Sequence, residues 1–197
     1  MVYLNPHIED INIGKALQEV SPQRREQAMR YLLEQDRKLS LAAYLLLCQA
    51  LREEYGIAEP PVFTFGPAGK PFLRDYPHIH FNLSHCSAAA LCAVDSAPVG
   101  CDIESVQPAL DEAVCMQVCS REELTEIRNA PHPALAFTRL WTQKEAFLKY
   151  TGEGLRGHLE ELLLSPEAKA VDFQTVVAAD KRYVYTVCRA TQTRRYR

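Results

Sequence analysis

The segment Ile79–Glu104, "IHFNLSHCSAAALCAVDSAPVGCDIE", contains the clearest strand pattern in the chain. It divides into "IHFNLSH", "AALCAV" and "VGCDIE", which are short apolar runs separated by turn residues. Runs of this kind predict strands, and their tight connections predict an antiparallel meander. This segment therefore sets a sheet in the middle of the chain, and the rest of the fold is predicted from what flanks it.

Helical patterns lie on both sides of this segment. Ser21 followed by Pro22 predicts a helix through "QRREQAMRYLLEQ", and a second helix runs through "RKLSLAAYLLLCQALREEY" to Gly56. After the strands, "SREEL" has the pattern of a capping box, and another helix runs from Pro133 to Gly152. "VDFQTVVA" and "RYVYTVCRA" predict a closing hairpin. The fold class is α+β, with helices preceding strands in each half.

Composition limits the kind of protein. The chain has 197 residues, of which 47% are apolar, so it can bury a core. Its net charge of −3 provides no global attraction for nucleic acid or anionic lipid. The start "MVYLNPHIED" has no basic region before an apolar run, and no stretch is long enough to cross a bilayer, so we expect a cytoplasmic protein. Seven cysteines, an odd number in apolar segments, predict reduced core thiols.

The acidic residues of "VGCDIE" are the first candidates for chemistry. Side chains at i and i+2 share a face of a strand, so Asp102 and Glu104 point together while Cys101 and Ile103 face a core. Two carboxylates so placed suit Mg²⁺ or Mn²⁺, although two solvated acids on an exposed strand would explain an isolated pair equally well. Gly100 favours the functional reading slightly, because glycine lets another segment or a ligand approach the backbone.

Two further motifs are weak by themselves. Ser84 and His85 lie where a strand meets a turn and can donate hydrogen bonds to a phosphate oxygen, or can simply cap that turn. Lys70, in "GPAGKPF", sits on a turn that could hold an anion or could be an ordinary surface loop.

The helix "WTQKEAFLKY" places Glu145 four residues before Lys149. A solvated surface pair at this spacing is common and stabilises a helix by only ~0.2–0.5 kcal/mol. Neither this pair nor any motif above identifies a function alone.

The order of the motifs along the chain points to a known family. "GKP", "FNLSH", "VGCDIE" and "WTQKEAFLKYTGEGL" follow one another from Gly69 to Leu155 and closely resemble the surfactin-synthetase-activating type of 4′-phosphopantetheinyl transferase. Cys86 replaces a serine of the family pattern and Cys101 replaces an aliphatic residue, and neither change removes a charged group. The resemblance favours a catalytic role for Glu145 and Lys149 over a surface pair.

The resemblance implies a reaction and a metal site. The family transfers 4′-phosphopantetheine from coenzyme A to a serine of an apo acyl or peptidyl carrier protein and releases adenosine 3′,5′-bisphosphate. It implies that Asp102, Glu104 and Glu145 hold Mg²⁺, with Mn²⁺ as a substitute. Glu145 would take the serine proton directly or through water, and Lys149 would stabilise the charge on the leaving phosphate. The implied catalytic residues are Glu145, Lys149 and Asp102.

The resemblance also implies contacts to coenzyme A. His85 is expected at the 3′-phosphate, Lys144 at either a phosphate or the carrier, and surface exposure is an equal alternative for Ser40 and Arg24. The full set of implied contacts comprises Lys70, Ser84, His85, Lys144, Lys149, Ser40 and Arg24.

The implied architecture is two similar α+β lobes related by a pseudo-twofold, residues 1–97 and 98–197, with coenzyme A between them in a monomer. The carrier would dock on "ALDEAVCMQVC", where Met116 and Val118 are equally well explained as core. Two other functions stay open: a coenzyme A-binding module without turnover, and a metal-dependent phosphohydrolase acting on coenzyme A.

Overall fold

The computed structural model describes residues 1–154 and 158–191. The first half contains β1 (Val2–Asn5), α1 (Ile13–Glu19), α2 (Pro22–Met29), α3 (Glu34–Tyr55), β2 (Phe63–Phe65), β3 (Pro71–Leu73), β4 (His80–Cys86) and β5 (Ala89–Asp95). The second half contains β6 (Val99–Ser105), α4 (Glu112–Val118), α5 (Arg121–Asn129), α6 (Pro133–Thr151), β7 (Val171–Val177) and β8 (Tyr183–Ala190). Short 3-10 helices cover Ile8–Asp10, Leu159–Leu164 and Ala168–Ala170. The predicted α+β class is confirmed.

The first two predicted helices are present, but their boundary is different. The Ser21 hydroxyl accepts a hydrogen bond from the backbone N–H of Arg24 and caps α2, as the Ser-Pro signal predicts. The helix ends at Met29, so the prediction that it continues through "YLLEQ" is wrong. Leu33 is extended, and Leu32 is 95% exposed, so this apolar run is not a buried helix face. Helix α3 ends at Gly56, whose φ of 68° is left-handed, as predicted.

The first sheet has the order β1-β5-β4, with antiparallel pairs. Helix α3 packs on it and buries Leu41, Leu47 and Leu51 completely. The edge strand β1 was not predicted, because "VYLN" is too short to show an alternating pattern. The predicted closing hairpin is confirmed, since β7 and β8 pair antiparallel.

Strands β2 and β3 form a two-stranded sheet, and the sheet of the second half has the order β6-β8-β7, so the predicted continuous meander is wrong. Strands β4 and β5 pair as expected, but β6 leaves them and pairs with β8. Cys101 and Ile103 are fully buried, as predicted from their face of the strand. Sequence alternation identifies a strand and its buried face but does not specify its distant partner.

Side chains join the two sheets where β4 lies beside β6. The Asn82 side-chain oxygen accepts the backbone N–H of Cys101 at 2.8 Å. Two residues along, the Ser84 hydroxyl accepts the N–H of Ile103 at 3.4 Å. Polar side chains thus satisfy backbone donors of β6 at this seam, which places Ser84 next to Asp102.

The seven cysteines are unpaired, six of them buried and Cys48 half-buried, so they occupy the core positions that the sequence predicts. Cys115 and Cys119 pack in an apolar cluster below α6. Within residues 1–154 and 158–191, none of the helices has the length and apolar character required to span a bilayer.

Candidate active site

Asp102 is the centre of a buried polar cluster. Its side chain is 3% exposed, and its Oδ1 accepts a hydrogen bond from the Ser84 hydroxyl at 2.8 Å and from the Lys149 ammonium at 2.5 Å. Lys149 also donates to the Ser84 hydroxyl at 3.0 Å. The Asp102 Oδ2 atom is buried and has no hydrogen-bond partner among the described residues. A buried carboxylate oxygen normally has a partner, so this atom is available to a ligand.

Helix α6 brings Lys149 to this cluster by an unusually close approach to β6. A Cβ added at Gly100 would lie 2.1 Å from the carbonyl oxygen of Ala146 and 2.4 Å from the backbone nitrogen of Tyr150. Only glycine fits between the strand and the helix backbone. The sequence-based suggestion that Gly100 admits another segment is correct, and that segment is α6.

Lys149 does not form the surface pair that its spacing from Glu145 allows. Its ammonium forms an ion pair with Asp102, and its side chain is 29% exposed. Desolvation alone would lower the pKa of the Lys149 ammonium, but the charge and hydrogen bond of Asp102, together with Cys101 and Glu145, raise that pKa overall. The lysine is therefore charged at the wall of the cleft.

The other two acids lie in the same electrostatic environment. Burial and, to a lesser degree, the Asp102 and Glu145 carboxylates raise the pKa of Glu104 to about 7. Burial and Asp102 also raise the pKa of Glu145, against the opposing effect of Lys149. Mutual repulsion among three partly buried carboxylates is relieved by a bound cation.

These acids were predicted to hold a divalent cation. The ligand atoms of these three acids do not all lie within 4.8 Å of one another. In the described part of the chain, the group of three potential ligands that meets this limit is His7, Glu9 and Asp10, and all three are exposed. The unpartnered Oδ2 of Asp102 and the raised pKa of Glu104 nevertheless fit a cation, and carboxylate oxygens suit Mg²⁺. Asp102, Glu104 and Glu145 are thus chemically suited to the metal.

A cleft of about 370 Å³ opens beside Lys149. Its walls come from the β2–β3 turn, β4 and the end of α6, and it is lined by Ala68, Gly69, Lys70, Pro71, Asn82, Leu83, Glu145, Leu148, Lys149, Gly152 and Gly154. A smaller cavity of about 180 Å³ is lined by Glu104, Phe137 and Trp141, among others. Asn82 and Trp141 were not predicted as site residues. Their positions inside the "FNLSH" and "WTQKEAF" motifs were the available signal.

Two predicted nucleotide contacts have other partners. The Lys70 ammonium donates to the carbonyls of Lys149 at 2.6 Å and Tyr150 at 3.0 Å. The Ser84 hydroxyl is buried and engaged by Asp102 and Lys149. The structure therefore does not present either side chain as a free phosphate ligand, which corrects the motif-based expectation.

Lys144 is also in a different environment from the one predicted. Its side chain is fully buried, and its ammonium donates to Glu123 Oε2 at 2.7 Å and to the carbonyls of Val118 and Leu159. The prediction that it contacts a phosphate or the carrier is wrong, because all three N–H groups bind the protein interior.

Arg24 lies on α2, and His85 lies near the end of β4, where the charges of Arg24 and of Asp36 on α3 act on its ring. The His85 side chain is exposed, whereas Ser40 is buried and accepts a hydrogen bond from Arg24 Nη1 at 3.1 Å. The Arg24 guanidinium lies 4.9 Å from the ring centroid of Tyr44. Surface exposure, the alternative for Ser40, is therefore wrong. Leu155, the last residue of the predicted motif, lies outside the described residues.

Clustered carboxylates and a charged lysine at a cleft are the kind of groups that enzymes of phosphoryl-type transfer use. A model of the 4′-phosphopantetheinyl transferase superfamily matches residues 98–193, and one of the 4′-phosphopantetheinyl transferase N-terminal region matches residues 5–97. The chain belongs to the 4′-phosphopantetheinyl transferase superfamily. The predicted resemblance is confirmed.

Individual relatives agree with this assignment. A 4′-phosphopantetheinyl transferase of Bacillus subtilis is 30% identical over 207 residues, which cover 96% of this chain and 90% of the relative. The 4′-phosphopantetheinyl transferase psf-1 of Bacillus pumilus is 34% identical over 161 residues, which cover 78% of this chain and 68% of the relative. The 4′-phosphopantetheinyl transferase Sfp of Bacillus subtilis strain 168 is 28% identical over 157 residues, which cover 78% of this chain and 70% of the relative.

Proposed function

We propose that the chain transfers the 4′-phosphopantetheine group of coenzyme A to a serine of an apo acyl or peptidyl carrier protein and releases adenosine 3′,5′-bisphosphate. Family membership supports the reaction. The observation that carries the proposal is that Asp102, Glu104, Glu145 and Lys149 interact in one polar cluster, in which Glu145 and Lys149 line the cleft. Phosphoryl-type transfer depends on positioning and charge stabilisation, which these residues can supply.

Asp102, Glu104 and Glu145 would hold Mg²⁺, or Mn²⁺ in its place, which when bound neutralises charge on the pyrophosphate. Glu145 accepts the proton of the carrier serine hydroxyl, directly or through a water. Coordination to the cation would lower the basicity of the Glu145 carboxylate, so the route through a water stays open. Lys149 stabilises the negative charge that develops on the leaving phosphate. His85 and Arg24 contact the nucleotide end, with Ser40 orienting Arg24 through their hydrogen bond.

The carrier docks on α4. Val114 and Met116 are 38% and 63% exposed there, whereas Val118 is buried and belongs to the core. The remaining features of this proposal are the lobes 1–97 and 98–197, a monomeric active unit and a cytoplasmic location. The free thiols are consistent with a reducing compartment.

Intact-mass measurement of apo carrier incubated with coenzyme A tests the proposal. We expect a mass gain of one phosphopantetheine on the carrier when Mg²⁺ is present and none with excess chelator. Coenzyme A cleaved without carrier modification would support the phosphohydrolase alternative. Binding of intact coenzyme A with neither cleavage nor transfer would support the binding module.

A further inference from the structure

Lys70 reaches from the β2–β3 turn to the C-terminal end of α6. Its ammonium donates to the carbonyls of Lys149 and Tyr150 at 2.6 and 3.0 Å. Helix α6 ends at Thr151, so both acceptors lie in the last turn, where carbonyls lack intrahelical partners. A cation at this end also interacts favourably with the helix dipole. Lys70 is therefore a helix cap supplied by a segment distant in sequence.

The surroundings fix both ends of this contact. The backbone of the turn is held by hydrogen bonds from Gly66 N to Lys70 O and from Gly69 N to Gly66 O, each 2.9 Å. At the helix, Gly152 has a φ of 74°, and a Cβ there would lie 2.9 Å from Lys70 Cδ. The lysine stem thus packs in space that glycine leaves open.

The cap acts on a residue of the proposed catalytic machinery. Lys70 binds the carbonyl of Lys149, while the Lys149 ammonium binds Asp102 and Ser84. The main chain and the side chain of Lys149 are therefore held by different partners. We propose that Lys70 is a positioning residue that fixes the main chain of Lys149 and so directs its ammonium into the cleft. This inference rests on the proposed transfer reaction.

A positioning role and a phosphate contact have different kinetic consequences. Two of the three N–H groups of Lys70 are bound to carbonyls, which favours positioning. Loss of a contact to the 3′-phosphate would raise the KM for coenzyme A and have no effect with 3′-dephospho-coenzyme A. Loss of positioning would lower kcat by the same factor with both nucleotides.

Lys70→Met removes the ammonium and keeps most of the stem. The test compares initial rates of transfer to an apo peptidyl carrier protein with each nucleotide. Circular dichroism checks that the variant is folded. We expect kcat to fall roughly 10- to 100-fold with both nucleotides, since small displacements of reacting groups carry penalties of this order. We expect KM to change by less than about twofold. Lys169→Met is the control. Lys169 is exposed, and its side chain makes no hydrogen bond to the described residues, so this variant should have the kcat and KM of the parent.

A second comparison shows whether Lys70 acts through Lys149. In a Lys149→Ala background, single-turnover measurement should show that Lys70→Met lowers the rate by less than about twofold, because the group it positions is already gone. An unchanged kcat for Lys70→Met, a KM effect confined to coenzyme A, or the full rate loss in the Lys149→Ala background would each overturn the positioning role. A parent protein that transfers phosphopantetheine from neither nucleotide to the carrier would instead overturn the proposed function, and this inference with it.

Discussion

Lys144 and Lys149 lie on the same helix and in the same sequence motif, yet they face opposite surroundings. Lys144 is 0% exposed, and its donors bind Glu123 and two carbonyls of the protein interior. Lys149 is 29% exposed and binds Asp102 at the edge of the cleft. The inner face of α6 therefore fastens the helix to α4 and α5, and the cleft face carries the charges of the site. The sequence motif includes both lysines. Only their contacts distinguish Lys144, which holds the helix in place, from Lys149, which belongs to the proposed active site.

The largest expected effect is a loss of stability, and it concerns the inner face of α6. Lys144→Met should lower the free energy of unfolding by about 3–5 kcal/mol, because it leaves Glu123 and two buried carbonyls without their donor. Chemical denaturation measures this loss, with Lys169→Met as the control. The protein that remains folded should keep a kcat within a few-fold of the parent. A folded Lys144→Met protein without transfer activity would contradict the assignment of this lysine to the interior.

The contact that brings the cleft face to Asp102 is tested at Gly100. Gly100→Ala should destabilise the protein by about 2–3 kcal/mol, because the new methyl group meets the backbone of Ala146 and Tyr150. Gly14→Ala is the matched control, since the nearest atom to a Cβ there is Asn12 Oδ1 at 3.4 Å. That change lies in α1 and should raise stability by up to ~1 kcal/mol. Equal unfolding midpoints for the two variants would show that the close approach has no energetic importance.

Much of this arrangement follows from local sequence signals. The end of α6 at Gly152 and the buried pair Cys101 and Ile103 depend on neighbours within one element. Gly100 is a local signal for a close approach, although the segment that approaches it, α6, lies far along the chain. The pairing of β6 with β8 depends on a strand far along the chain, so alternation could not reveal it. The partners of Lys70 and Lys144 are also distant, and a lysine has the same local signature whether it binds a carbonyl or a phosphate.

The smallest expected effect concerns the nucleotide end of the cleft. His85→Ala should weaken coenzyme A binding by about tenfold or somewhat more, the usual consequence of deleting one charge-assisted hydrogen bond. Binding of 3′-dephospho-coenzyme A should match the parent, because the partner of His85 is then missing. Isothermal titration with both nucleotides measures the difference. Equal weakening with both would place His85 away from the 3′-phosphate.

The central claim is that the carboxylate cluster formed by β6 and α6 carries the transfer, and Glu145→Gln tests it with almost no change in shape. The matched control is Glu126→Gln, at an exposed glutamate of α5. Intact-mass measurement of apo carrier after incubation with coenzyme A and Mg²⁺ gives the rate of modification. The account predicts that Glu145→Gln remains folded and is slowed by roughly 10²–10³-fold or more, while Glu126→Gln keeps the parent rate. Carrier modification by Glu145→Gln at the parent rate would contradict the account.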